Sequence, residues 1–425
     1  MNNIDGLDLQ DTLAMLVRSL VPCLLLIGCS YAVHAAEPWP QWRGPHGNGL
    51  VTDSTPPLNW SADNVTWQVA LPGHGQSSPV VWDDRIFLTS YEDRGAERLV
   101  FALDRGTGKL AWKQTAWKGS PEPSHQMNGW ASATCATDGE RVYAFFGRGG
   151  GLFCYTRDGE KLWDLPLGDF PGPWGTAACP VLTESFVIQN CDAEGDAKLI
   201  GVDKLTGKIV WSTPRENQRG WSTPLLIHAN GKTLAVLNGH TGTRCYEAET
   251  GKELWFCPGF NGRGEPTVTP NDAGHLFVVN GLAGDVYAIR NGGSGNVGQS
   301  HRLWHTPRKS GRDLPSPAVV GSHLLVMAMK GILTCYSTAD GAIEWEERVG
   351  GNFSASPVVA DNKALFVSED GEVVVVDPVA TPHLARRNSV GPAANEIFRS
   401  SLAAHDGQWL LRSDKTLYCI GAKSK

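Results

Sequence analysis

Charge is scarce in this 425-residue chain, since Asp, Glu, Lys and Arg together make up 19% of its residues and the formal net charge is −7. A nucleic-acid-binding surface needs an excess of basic residues, and in this sequence acidic residues outnumber basic ones. It also contains no long run of like charge and no low-complexity tract. These absences exclude a nucleic-acid partner and favour an ordered, globular domain.

The short motifs of common catalytic and metal sites are also absent. The sequence contains no nucleophile-elbow serine, no phosphate-binding glycine loop and no paired-histidine zinc motif. Its ten cysteines and twelve histidines show no metal-ligand spacing, and histidines such as His74 and His301 fall among turns. We therefore assign no catalytic residue and no metal ligand from the sequence.

Residues 1–35 are predicted to be a signal peptide. Arg18 precedes the apolar stretch 20–29, which is too short to span a membrane, and residues 33–35 (Val-His-Ala) offer a small-residue cleavage site. Translation from Met15 would remove the acidic residues that are unusual in such a segment. Two alternatives stay open: a lipobox that would place a lipid on Cys29, and an uncleaved anchor.

Glycine is abundant, at 49 residues, and it accompanies a repeat that begins after Trp60. Each unit starts with a run such as SSPVVW from Ser77, and most units end with a glycine-bearing turn followed by a tryptophan. Successive tryptophans are separated by roughly 40–50 residues, which is the length of a propeller blade. The repeat therefore predicts one propeller domain.

Each unit is predicted to form four antiparallel strands, of which the last two flank the glycine-bearing hairpin. An eighth unit ends after three strands near Gly421, and the segment 64–73, which contains Trp67, has the pattern of the missing fourth strand. We therefore predict an all-β, eight-bladed β-propeller of four-stranded antiparallel blades that is closed by the N-terminal strand. Residues 36–58 form a lead-in, and residues 59–423 form the propeller.

Large and small apolar residues recur at fixed positions of the repeat. The tryptophans are predicted to pack between neighbouring blades, where a large ring buries the most area. These docking tryptophans are Trp67, Trp112, Trp163, Trp211, Trp255, Trp304 and Trp345. Cysteines that share one phase of strand three are predicted to be buried and unpaired: Cys154, Cys245, Cys335 and Cys419. A disulfide between Cys245 and Cys257 is the alternative that an exported protein permits.

Two segments, ALDRGTGKLAW (102–112) and GVDKLTGKIVW (201–211), resemble the docking motif of the pyrroloquinoline-quinone (PQQ) repeat propellers. The resemblance covers residues 60–420 and implies the propeller fold. Two branches share that fold, namely quinoprotein dehydrogenases and non-enzymatic envelope proteins such as the outer-membrane assembly factor BamB. The segment WPQWRGP (39–45) is also similar to the start of exported PQQ-like propellers that lack an assigned reaction.

The dehydrogenase branch implies features that this chain lacks. That branch typically carries adjacent cysteines under the cofactor, Ca²⁺ held by Glu and Asn, and a catalytic Asp. No Cys-Cys pair and no haem-attachment motif occur here. We therefore predict an exported, non-catalytic scaffold or protein-binding module of the periplasm or cell envelope, without a cofactor. The alternative is a quinoprotein oxidoreductase that binds PQQ and Ca²⁺ in the central channel.

The loops that enter the inner strands of a propeller surround one mouth of its channel. In this chain these loops are rich in Trp and Arg, the side chains that binding hot spots favour. We name the following residues the collar: Gln76, His125, Asn128, Trp130, Trp174, Arg219, Trp221, Arg263, Glu265, Arg312, Asn352, Glu396 and Arg399.

The collar is predicted to bind an envelope protein or peptide that offers carboxylates, or else a small molecule. Alternatively, these side chains only plug the channel. Contact with a membrane is expected only through a lipid anchor.

Overall fold

The computed structural model describes residues 36–53, 55–260, 263–282, 284–308, 311–381 and 383–421. Within these ranges the chain forms 33 β-strands and two short 3₁₀ helices, Ala62–Asn64 and Asp93–Gly95. None of the helices found there is long and apolar enough to cross a membrane. The predicted signal segment, with Met15 and Cys29, lies outside the described residues, so its cleavage and lipidation stay predictions.

Eight sheets, numbered here as blades in chain order, contain all the strands. Strand β1 (Val65–Ala70) precedes blade 1. Blade 1 contains β2 (Val80–Trp82), β3 (Arg85–Glu92), β4 (Glu97–Asp104) and β5 (Leu110–Lys118). Blade 2 contains β6 (Ala136–Thr137), β7 (Arg141–Phe146), β8 (Gly151–Thr156) and β9 (Lys161–Leu165). Blade 3 contains β10 (Val181–Leu182), β11 (Phe186–Cys191), β12 (Lys198–Asp203) and β13 (Ile209–Pro214). Blade 4 contains β14 (Leu225–Ala229), β15 (Lys232–Asn238), β16 (Gly242–Glu247) and β17 (Glu253–Pro258).

The second half of the chain repeats this arrangement. Blade 5 contains β18 (Thr269–Pro270), β19 (His275–Val279), β20 (Val286–Arg290) and β22 (Arg302–Thr306), while β21 (Gly295–Asn296) joins blade 4 as a parallel fifth strand. Blade 6 contains β23 (Ala318–Val320), β24 (His323–Met327), β25 (Ile332–Ser337) and β26 (Ile343–Arg348). Blade 7 contains β27 (Val358–Ala360), β28 (Lys363–Val367), β29 (Val373–Val376) and β30 (Leu384–Asn388). Blade 8 contains β31 (Ala403–His405), β32 (Gln408–Arg412), β33 (Thr416–Ile420) and β1.

The two ends of the propeller meet in blade 8. Strand β1 pairs antiparallel with β33, with Trp67 opposite Cys419 and Ala70 opposite Thr416. Leu71 extends this ladder by donating its backbone N–H to the carbonyl of Lys415 at 2.8 Å. The predicted eight-bladed propeller, completed by the N-terminal strand, is therefore confirmed. The pairing also covers the edge that β33 would otherwise expose.

The docking tryptophans lie on the outer strands and reach across to the next blade. The indole N–H of Trp112 donates to the carbonyl of Arg157 at 2.8 Å, and that of Trp163 donates to the carbonyl of Lys204 at 3.0 Å. Trp255 is 1% exposed, because β21 from the longer hairpin of blade 5 pairs alongside it. Each ring is therefore shared between two blades rather than buried within its own.

The cysteines of strand three lie in register with these tryptophans. Cys245 is opposite Trp255, whereas Cys257 is opposite Thr243, so the two sulfur-bearing residues are diagonal neighbours rather than a facing pair. Both are free and buried, as are the other cysteines of the described residues. The alternative of a disulfide between Cys245 and Cys257 is therefore wrong, because the hairpin register places Trp255, two residues before Cys257, opposite Cys245.

Candidate functional site

A ring of hydroxyl and thiol side chains joins the blades around the channel. Each of the eight members lies two residues before an inner strand, and at seven steps around the ring the backbone N–H of one blade's member donates to the side chain of the next. The donor–acceptor pairs are Ser78–Thr134 (2.8 Å), Thr134–Cys179 (3.2 Å), Cys179–Thr223 (3.0 Å), Thr223–Thr267 (3.0 Å), Thr267–Ser316 (3.0 Å), Ser316–Ser356 (2.9 Å) and Ser401–Ser78 (3.0 Å). These buried bonds hold the starts of the inner strands at a fixed radius.

A second ring lies two residues earlier in each blade. Side chains two positions apart on an extended chain share a face, so both rings line the channel. The second ring consists of Gln76, Ser132, Ala177, Trp221, Glu265, Leu314, Ser354 and Arg399. At the mouth, the lining also includes His125, Met127, Asn128, Trp174, Arg263 and Arg312. Together these residues enclose a cavity of about 200 Å³.

The opposite end of the cavity is closed by the N-terminal lead-in. Trp39 pairs with Val81 of blade 1 through a 2.9 Å hydrogen bond, and Val51 donates to the carbonyl of Val359 in blade 7 at 2.8 Å. Between these contacts the guanidinium of Arg43 reaches blades 5 and 6, and the ring of Trp42 lines the cavity. The lead-in therefore plugs the far end, and the collar surrounds the open end.

Arg43 anchors this plug, and it has no acidic partner among the residues that the structure describes. Its side chain is fully buried and donates to Thr269 Oγ1 at 3.0 Å, to the carbonyl of Asn48 at 2.8 Å and to that of Pro317 at 2.9 Å. Burial lowers the pKa of this guanidinium to about 9. Three hydrogen bonds to oxygen offset part of that desolvation.

Most of the collar lines the cavity. The nine residues that do so are Gln76, His125, Asn128, Trp174, Trp221, Arg263, Glu265, Arg312 and Arg399. The other four lie outside this lining, although Arg219 packs over the ring of Trp174 at 5.1 Å. Trp130 packs edge-on against Tyr91 with ring centroids 4.9 Å apart, and Arg219 forms a 2.8 Å ion pair with Glu194. Asn352 accepts a hydrogen bond from Lys330, and Glu396 accepts hydrogen bonds from Thr416 and Tyr418.

Cationic and aromatic groups dominate the mouth. Arg263 lies over the ring of Trp174 at 5.8 Å, and His125 lies 5.2 Å from the same ring. Arg399 is held by a 3.0 Å ion pair with Glu369 and by a hydrogen bond to the carbonyl of Gln126. An arginine that is fixed in this way can present its remaining N–H groups to a carboxylate at little entropic cost.

Glu265 is the carboxylate among the described lining residues, and neither of its oxygens has a hydrogen-bond partner. Desolvation by burial raises the pKa of this group to about 7, although Arg263 and Arg312 oppose the shift. The side chain is therefore partly protonated near neutral pH and can either donate or accept a hydrogen bond there.

Sequence reasoning missed the smaller lining residues and Trp42 of the lead-in, which closes the far end of the cavity. Both rings could have been read from the repeat, since their members hold the same two phases before every inner strand. The position of Trp42 could not be predicted from the repeat, because the lead-in has no counterpart in any blade.

The comparisons with known proteins agree with this architecture. The sequence model of a protein family described as "Outer membrane protein assembly factor BamB" matches residues 57–173, 195–291 and 283–416. The chain belongs to this family. BamB from Burkholderia pseudomallei (strain K96243) is 24% identical over 358 residues, which cover 72% of this chain and 86% of that protein. The quinoprotein alcohol dehydrogenase PedH from Pseudomonas putida is 33% identical over 162 residues, which are 35% of this chain and 23% of PedH.

Solved structures from both branches are similar to this BamB-family chain. BamB from Moraxella catarrhalis matches with a TM-score of 0.62 and 14% identity, over 85% of this chain and 98% of that one. The quinohemoprotein alcohol dehydrogenase ADHIIG from Pseudomonas putida HK5 matches with a TM-score of 0.62 and 12% identity, over 92% of this chain and 81% of that one. These likenesses establish the shared propeller fold, and the resemblance to the PQQ-repeat propellers is confirmed.

Proposed function

We propose that this BamB-family chain is an exported, non-catalytic scaffold of the cell envelope that binds a protein segment at the collar end of its channel. The family's name connects its members to the assembly of outer membrane proteins, which supports an envelope protein as the partner. Export depends on the predicted signal segment within residues 1–35, and mass measurement of the mature protein tests it.

The cavity carries the proposal. Its volume of about 200 Å³ is smaller than the roughly 300–1,000 Å³ of pockets that enclose whole ligands, and it is closed at the far end by the lead-in. This size suits one or two side chains of a peptide rather than a free molecule. Arg263, Arg312 and Arg399 at the mouth suit a carboxylate, and Trp174 and Trp221 add apolar contact. The expected partner therefore inserts an acidic residue from an exposed loop.

The alternative, a quinoprotein that holds PQQ and Ca²⁺, fits these residues poorly. Ca²⁺ takes six to eight oxygen ligands, usually with several carboxylates. The carboxylate among the described lining residues is Glu265, and Arg263 and Arg312 raise the positive charge around it. We therefore derive no redox step. Titration of the pure protein with PQQ and Ca²⁺ should give no quinone absorption band beyond that of free PQQ, and a saturable new band would favour the alternative.

Paired arginine variants test binding at the collar. Arg263→Ala with Arg312→Ala removes two charges from the cavity, whereas Arg387→Ala removes a charge that lies outside both the cavity lining and the collar and is paired with Glu372. The double variant should lower quantitative capture of crosslinked envelope partners by at least about tenfold, as for a binding hot spot. Arg387→Ala should leave capture unchanged. Equal capture by all three proteins at unchanged melting temperature would place the interface elsewhere.

A further inference from the structure

We infer that blade 6 carries a site for a thiophilic divalent cation such as Zn²⁺, formed by His323, Cys335 and Glu344. The ligand atoms of these three side chains all lie within 4.8 Å of one another. His323 Nδ1 lies 2.6 Å from Glu344 Oε2, Cys335 Sγ lies 3.4 Å from the same oxygen, and the sulfur and nitrogen are 3.8 Å apart. The cluster is remote from the channel lining and is independent of the proposed function.

Three adjacent strands bring these residues together. His323 begins β24 and Cys335 lies on β25, where they are diagonal neighbours on one face, since His323 is opposite Ser337 and Leu325 is opposite Cys335. Glu344 is the extra residue of a bulge in β26, where Trp345 pairs with Cys335 and Ile343 pairs with Tyr336. Bulges of this kind redirect a side chain, and here the bulge brings the carboxylate toward the sulfur.

The repeat supplies an internal comparison for each ligand position. The bulge residue before the docking tryptophan is apolar in blades 1 to 5, namely Ala111, Leu162, Val210, Leu254 and Leu303. The position of Cys335 is also a cysteine in blade 4, at Cys245, but Leu234 and Leu254 there replace the histidine and the glutamate. Blade 5 has a histidine, His275, beside Ala288 and Leu303. Blade 6 thus combines three ligands that these blades carry singly or not at all.

The separations fit a tetrahedral ion. Zn–S, Zn–N and Zn–O bonds of about 2.3, 2.0 and 2.1 Å require ligand atoms about 3.4–3.6 Å apart. The two separations that involve sulfur are close to this value, and only the nitrogen–oxygen pair must widen. Glu344 can provide that movement, because its side chain is 34% exposed. A mixed N, S and O donor set favours Zn²⁺ over Ca²⁺ or Mg²⁺ and leaves one position for water.

Sequence spacing did not reveal this site. Its ligands are separated by twelve and nine residues on three strands, and no short motif has that spacing. The register of the blade is what brings them into contact.

Cobalt binding to the full chain, with Co²⁺ as the spectroscopic probe, tests the site. Cys335→Ala, His323→Gln and Glu344→Ala each introduce a residue that another blade holds at the same phase, namely Ala288, Gln408 and Ala111. Cys245→Ala is the matched control, since it removes a cysteine of the same phase that lacks the other two ligands.

The parent and Cys245→Ala should show a saturable sulfur-to-cobalt charge-transfer band that Zn²⁺ abolishes by competition. Cys335→Ala should lose the band, and His323→Gln and Glu344→Ala should weaken binding at least about tenfold, as even second-shell changes do. Absence of the band in the parent, or its survival in Cys335→Ala, would overturn the site. If Cys335→Ala fails to fold, unchanged affinity in the two surface variants would overturn it equally.

Discussion

Trp67, on the strand that closes the ring, lies directly over Gly108 in the Thr-Gly-Lys turn of blade 1. A β-carbon at Gly108 would lie 2.7 Å from Cε3 of that ring, and Gly108 has φ of +71°. Trp112 has the same relationship with Gly159, and Trp163 has it with Gly207. The glycine of the repeat is therefore needed for two reasons, its left-handed backbone and the ring from the preceding blade.

A pair of glycine variants separates these two requirements. Gly231 has φ of +72°, and a β-carbon there would meet nothing within 4 Å. Gly231→Ala should therefore lower the free energy of unfolding by about 1–2 kcal/mol, the cost of the left-handed conformation alone. Gly108→Ala should cost about 1–3 kcal/mol more, because the indole of Trp67 must move. Equal melting temperatures for the two variants would remove the packing role assigned to the tryptophan.

The repeat explains why the fold could be predicted and the plug could not. Strand number, hairpin position and the closing strand all follow from a pattern that recurs in every blade, so each instance supports the others. The lead-in occurs once. Its contacts, such as that of Arg43 with Thr269, join residues more than two hundred positions apart through backbone and guanidinium groups. No local pattern encodes a contact of this kind.

The structure places collar residues in the cavity lining where they hold a fixed phase before their inner strand. Trp221, Glu265 and Arg399 lie two residues before the hydroxyl ring and all line the cavity. Trp130 and Arg219 lie two residues further from the strand, where loop length differs among blades and the local partners Tyr91 and Glu194 decide the orientation. Arg263 and Arg312 hold that same phase and do line the cavity, so the phase alone does not decide which of these loop side chains faces the channel.

Cys179 takes the place of a hydroxyl in the ring that joins the blades. Its sulfur accepts a hydrogen bond from the backbone N–H of Thr134 at 3.2 Å. Cys179→Ser keeps an acceptor and should change the free energy of unfolding by less than about 1 kcal/mol, whereas Cys179→Ala should cost about 1–3 kcal/mol, because it leaves a buried N–H unpaired. Denaturant unfolding of both variants measures the difference. Ser316→Ala, which deprives Thr267 of its acceptor, should match the alanine variant. Identical stability for the serine and alanine variants at position 179 would contradict this role.

Glu265 should make the stability of the protein depend on pH. Burial raises its pKa from 4.5 to about 7, so the folded state binds a proton more tightly than the unfolded state. Its stabilising contribution is complete below about pH 4.5, declines between pH 4.5 and 7, and is lost above pH 7.

Glu265→Gln carries a permanently neutral group. It should therefore match the parent near pH 4 and exceed its free energy of unfolding by about 3 kcal/mol at pH 8. The exposed Glu249, changed to Gln, provides the control and should leave both values unaltered. Melting temperatures recorded from pH 4 to pH 8 test this pH dependence. A Glu265→Gln curve parallel to that of the parent would mean that this carboxyl is solvated in the folded protein.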